Sequence, residues 1–148
     1  MRKKTIFSVS GILPTTDVPQ MNCGVITEQH YANGMEPVEV KAYIDTGCNR
    51  SSVSPRLASL LGLEYRGTTT VDSATEKGAE VDLYYGACFV FGNIVVGPRF
   101  VTVVDLIDDG DDSKSVDVLL GMDIIGMGCL TIKPAGEKRY QFRFKFDI

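Results

Sequence analysis

The chain has 148 residues, 44% of them hydrophobic and 23% charged, so it has the size and composition of one globular domain and not of a disordered or fibrous chain. Fifteen Lys and Arg against nineteen Asp and Glu leave a net charge of −4, the wrong sign for a general nucleic-acid binder. No run approaches the ~18 consecutive apolar residues of a membrane helix, so no membrane partner is expected.

The opening Met1-Arg2-Lys3-Lys4 has the charge of a signal-peptide start. Ser8, Ser10 and Gly11 then interrupt what should be an apolar run, and no small-residue cleavage site follows; the expected home is cytoplasmic and reducing. Thr5 to Ile12 and Pro37 to Ile44 are rich in β-branched residues and read as strands. His30, in the polar stretch between them, reads as a surface loop residue. Ser54-Pro55 is an N-cap and first-turn pair, and Leu57, Leu60 and Leu61 fall at helical spacing until Gly62. Residues 68–71 and Val81 to Phe91 look extended, and a Gly92-Asn93 turn leads into Asn93 to Val104.

Asp105 to Asp117 is an acidic patch without the alternating ligands and closing Glu of a calcium loop, and reads as a solvated loop. Residues 116–132 read as a strand, Gly121, a short helical turn and a second strand from Cys129. Met122 and Met127 are expected to pack. The tail alternates Tyr140, Phe142, Phe144 and Phe146 against Arg139, Gln141, Arg143 and Lys145, the pattern of one half-buried strand. Cys23, Cys48, Cys88 and Cys129 form no C-x-x-C pair and His30 is the single histidine. They read as small, partly buried thiols, with no metal and no organic cofactor implied.

The stretch with chemical character is residues 42–55, AYIDTGCNRSSVSP. Tyr43 and Ile44 end an apolar strand and deliver Asp45, a residue depleted in strands, into Thr46-Gly47. Gly47 permits a sharp turn at positive φ with backbone amides aimed at the carboxylate, and Thr46 offers a hydroxyl to fix that turn. Taken alone, Asp-Thr-Gly is also what a simple turn between strand and loop looks like. A second feature sits downstream: Leu119-Leu120-Gly121-Met122-Asp123 would let a loop pass under the Asp45 turn with only a glycine's thickness between them. Arg50 is either a partner for an acidic group near the site or a solvated surface arginine.

These two motifs, in this order and spacing, resemble those of the retropepsin-like aspartic proteases, from about Glu39 to Ile132. The resemblance implies an all-β fold across residues 1–148, closed and barrel-like, with one or two short helices and a flap hairpin; the C-terminal strand extension of residues 133–148 departs from it, running past the point where the viral members stop. It implies an aspartic endopeptidase with Asp45 catalytic and Thr46 and Gly47 supporting it. It places the flap tip around Ser73 to Gly78, with Ser73, Ala74 and Thr75 touching substrate and Leu119 lining the groove. Cys48 departs from the Ala, Ser or Thr usual after the glycine, and a thiol donates only weakly.

Hydrolysis by this route needs two carboxylates about 3 Å apart sharing one proton. The nearest approach to a second motif is Asp72-Ser73-Ala74, which lacks the glycine. A single copy therefore implies a homodimer acting on a peptide or protein substrate, with Asp45 meeting its own mate across a two-fold axis. Actin-like ATPases also carry an Asp-x-Gly loop but need two large domains, and a haloacid-dehalogenase-type phosphatase needs an Asp where Gly47 stands. The remaining competitor is the same fold used as a dimerising or peptide-binding module without turnover.

Overall fold

The β-branched and aromatic runs become strands in the computed structural model, which describes residues 5–72, 77–106 and 116–147. Six of the strands close into a barrel: β2 (Gln20–Thr27), β3 (Val38–Ile44), β8 (Val118–Leu120), β4 (Ser52–Val53), β7 (Ile94–Val103) and β6 (Ala79–Phe91), with β6 returning to β2. Closure removes the barrel's own open edges. Strand β6 serves two partners. Its last part, Ala87 to Val90, pairs with β2, and its first part pairs with β5 (Glu64–Val71) to make a projecting hairpin. The change falls at Gly86, whose φ of 113° and the register shift beside it let one strand leave the barrel wall without breaking. At the far end of β6 the expected Gly92-Asn93 turn is present, with Phe91 opposite Ile94 and Gly92 left-handed at φ 60°.

A second sheet, in the order β1 (Thr5–Pro14), β10 (Arg139–Asp147), β9 (Cys129–Pro134), covers the barrel. Its alternating tail buries Phe142, Phe144 and Phe146 and leaves Arg143 in solvent, as the pattern predicts. The Phe146 ring packs 5.2 Å from Phe91 and 5.0 Å from Phe144, which joins the second sheet to the barrel core of Val25, Phe89, Val101, Val118 and Leu120.

Strand β2 has no clear signature in the sequence. Cys23, Gly24, Val25 and Ile26 are all buried, so the period-two alternation that marks a half-exposed strand is missing. Gly24 is required there, because a Cβ would come within 2.8 Å of Pro37 Cβ and 3.2 Å of Val90 Cβ. Three helices are present among the described residues. The first, α1 (Glu28–Ala32), lies where a loop is expected and buries nothing. It is set by Thr27, whose hydroxyl accepts from the His30 amide at 3.1 Å.

Helix α2 (Pro55–Leu61) follows its sequence cues closely. Ser54 Oγ accepts from Leu57 N at 3.1 Å, Leu57 and Leu61 are buried, and Gly62 ends the helix at φ 65°. Ser54 Oγ also donates to Asp117 Oδ1 at 2.7 Å, and Asp117 pairs with Arg56. Asp117, at 4% exposure, is thus a buried anchor and not part of a solvated loop, because three donors (Ser54 Oγ and the two Arg56 nitrogens) satisfy its carboxylate. Residues 107–115 of the acidic patch lie outside the described residues. Ser54→Ala removes the cap and one of those donors, and is expected to cost about 1–2 kcal/mol by urea denaturation.

Candidate active site

The end of β3 and the end of β8 lie side by side in parallel, with Ile44 opposite Leu120. The residues leaving those two ends, Asp45 and Gly121, are therefore placed together by the sheet itself. Asp45 N donates to Leu120 O at 2.9 Å, and Cys48 N closes the turn on Asp45 O at 3.3 Å. Gly47 N donates to Asp45 Oδ1 at 2.9 Å, which is the backbone amide the sequence led us to expect. The reason for glycine differs, however. Gly47 does not take a positive φ; a Cβ at that position would stand 3.3 Å from the Asp45 oxygen and crowd the carboxylate. Asp45 is half-buried. Thr46 is exposed, and among the described residues its hydroxyl has no hydrogen bond.

The Cys48 thiol donates to Arg50 O at 3.0 Å. Burial pushes its pKa up, the Arg50 contact offsets part of that rise, and the Asp45 and Asp123 carboxylates add to it. It stays a protonated, locally bonded group.

The second motif passes beneath this turn. A Cβ on Gly121 would lie 2.7 Å from Cys48 O and 2.9 Å from Arg50 C, so only glycine fits. Helix α3 (Met122–Ile125) starts there, and its first amides bond back to the turn: Met122 N to Cys48 O at 2.7 Å and Asp123 N to Asn49 O at 3.1 Å. Ser51, fully buried, completes the tie. Its hydroxyl donates to Asp123 Oδ1 at 2.7 Å and accepts from Gly121 N at 2.9 Å, while Ser51 N donates to the same carboxylate at 3.0 Å. The Asp123 role was not apparent from the sequence, since Ser51 and Asp123 are 72 residues apart.

Above the turn is a cleft of about 1130 Å³ whose lining includes Asp45, Thr70, Tyr85, Arg99, Phe100 and Leu119. The hairpin of β5 and β6 contributes Thr69 to Asp72, and Asp72 Oδ1 accepts from Gly78 N at 2.7 Å near its tip. Ser73, Ala74 and Thr75 lie outside the described residues. Arg50 is exposed and also lines the cleft, without an ion pair among the described residues.

Met122 and Met127 do not pack as expected. They are 41% and 53% exposed, because α3 is a single turn whose buried side is already filled by Ile124 and Ile125. All four cysteines are free; Cys23 and Cys88 are buried, but Cys129 is exposed at the start of β9. Burial pushes the Cys23 thiol up to about 12. Iodoacetamide followed by mass spectrometry is therefore expected to label Cys129 first and to leave Cys23 unmodified until unfolding.

A family model described as aspartyl protease matches residues 29–124, a span that includes both the Asp45 turn and the Gly121 loop. A comparison with curated proteins finds no match. Among solved structures, the chain is similar to a retropepsin-like aspartic protease from Rickettsia conorii, with a TM-score of 0.51 at 15% identity, covering 100% of this chain and 99% of that one. It also matches the retroviral protease-like domain of Ddi1 from Leishmania major at a TM-score of 0.42 and 14% identity, covering 89% and 96%.

Proposed function

The chain belongs to the aspartyl protease family, and from that premise we propose that it is an endopeptidase whose acid pair is assembled from two copies. The observation that carries this reading is the braced Asp45 turn at the cleft, present once per chain. Its carboxylate is held by Gly47 N on one oxygen, and the neighbouring Thr46 is exposed with its hydroxyl open to a second molecule. Two-fold pairing is the arrangement that lets identical turns face each other.

In such a pair one Asp45 carboxylate takes a proton from a water held between the two, and the resulting hydroxide adds to the scissile carbonyl carbon. The protonated partner gives its proton to the carbonyl oxygen. As the resulting gem-diol collapses, the now ionised partner takes a proton from one of its hydroxyls, the C–N bond breaks, and the first carboxyl gives its proton to the leaving nitrogen, which leaves one proton on the pair as before. The hairpin of β5 and β6 covers the cleft and limits access of bulk water. The mechanism needs one shared proton. Activity is lost at low pH, when both carboxyls are protonated and no base remains, and at high pH, when both are ionised and no acid remains.

Unfolded casein incubated with the purified protein over about pH 4 to 7 tests the reading, alongside solution mass by light scattering. The expected result is cleavage with a bell-shaped pH profile, a mass of two chains, and activity per chain that falls on dilution as the dimer dissociates. Peptide binding without cleavage at any pH would instead identify a peptide-binding module built on this fold.

A further inference from the structure

Arg99 stands in β7 on the wall of the cleft, and its guanidinium is poorly served by the protein. Among the described residues Nε is buried with no hydrogen-bond partner, and one terminal nitrogen reaches only Met127 Sδ, a weak acceptor, at 3.2 Å. No ion pair to Arg99 is formed among the described residues. Arginine cannot shed its charge to relieve this, so the cation persists in a partly desolvated place.

The acids lining the cleft are engaged elsewhere. Asp123 accepts from Ser51, Asp72 from Gly78, and Asp45 from Gly47. Arg50, on the same cleft, also lacks an ion pair among the described residues. Beside Arg99 in β7, Phe100 is 43% exposed and its ring lies 4.7 Å from that of Tyr85, which gives the cleft an apolar wall.

We propose that the cleft selects peptides bearing an acidic side chain, and that Arg99 is the residue that reads it. This rests on the protease reading and names the substrate class. A carboxylate entering the cleft supplies Arg99 with the charged acceptor that the fold withholds, and in a partly water-excluded groove such a contact is strong and directional. A neutral amide of the same shape leaves the cation unpaired.

The test uses the full chain and a set of extended peptides taken from the casein sequence, identical except for Glu, Gln or Lys at one position, with that position moved stepwise along the peptide. At one position the Glu peptide is expected to exceed its Gln counterpart in kcat/KM by about tenfold or more. Arg99→Met, which removes the unpaired Nε and keeps the side chain's bulk, is expected to melt no lower than the parent and to bring that ratio to about one. Should this variant fail to fold, Arg99→Gln is read in the same way. A ratio near one at every position in the parent protein overturns the proposal, as does a preference that survives loss of Arg99 or disappears in Arg50→Gln alone. Binding of the same peptides by fluorescence anisotropy separates the two readings. Peptides that bind with the Glu preference but are never cut overturn the protease reading and uphold Arg99, whereas peptides that are cut without charge preference do the reverse. Peptides neither bound nor cut by the folded protein overturn both.

Discussion

Asp45→Asn is expected to lower peptide hydrolysis by about 10²–10⁴-fold or more while leaving the melting temperature and the dimer in place. The separation of effects follows from the geometry. Gly47 N donates to Asp45 Oδ1 at 2.9 Å, and an amide oxygen accepts that bond as well as a carboxylate does. The backbone bond from residue 45 to Leu120 O does not involve the side chain at all. What is lost is the ability to accept and return a proton, which an amide cannot do.

The same variant also reads the subunit arithmetic. If each site draws one carboxylate from each of two chains, mixing parent and variant chains at equal concentration and allowing exchange leaves about a quarter of the sites intact. Activity then falls as the square of the parent fraction. A site complete within one chain would fall only in direct proportion, so a linear mixing curve overturns the shared pair.

The parts of the site that could be read from the sequence are those carried by local geometry. Asp45-Thr46-Gly47 and Leu119 to Asp123 each sit at a strand end, where a carboxylate and a glycine are conspicuous against apolar neighbours. Ser54 to Gly62 announces its own cap and stop, and the 140–146 alternation announces its buried face. What was hidden depends on partners far along the chain. Ser51 looks like one more polar loop residue until Asp123 and Gly121 are brought to it. Asp117 is lost among acids until α2 turns Ser54 and Arg56 toward it. Arg99 follows Gly97-Pro98, which breaks the alternation of its strand, so no pattern in the sequence says which way it faces. Residues 23–26 of β2 are covered on both faces, and burial of successive residues erases the periodicity by which strands are recognised.

Gly121→Ala is expected to destabilise the fold by about 3 kcal/mol, at the upper end for overpacking, and to reduce activity beyond what the lost stability explains. The added Cβ meets Cys48 O at 2.7 Å and the Arg50 backbone at 2.9 Å and 3.1 Å. All three contacts are main-chain atoms, so no side chain can swing aside to relieve them. The loop of residues 48–50 must lift, and with it go Met122 N to Cys48 O, Asp123 N to Asn49 O and the Ser51 bridge. Because the Asp45 turn is one end of that loop, a shift of about 1 Å there costs on the order of 10²-fold in rate through misalignment of the acid pair. Urea denaturation measures the first effect, and kcat at a temperature well below the variant's melting point measures the second. A control at Gly136 isolates the cause: it is left-handed at φ 106° with nothing within 4 Å of its Cβ position, so Gly136→Ala brings backbone strain without the clash. That variant is expected to lose about 1 kcal/mol and keep its rate, whereas Gly121→Ala loses both. Equal kcat in the two variants under folded conditions would mean that the Gly121 loop supports the fold without aligning Asp45.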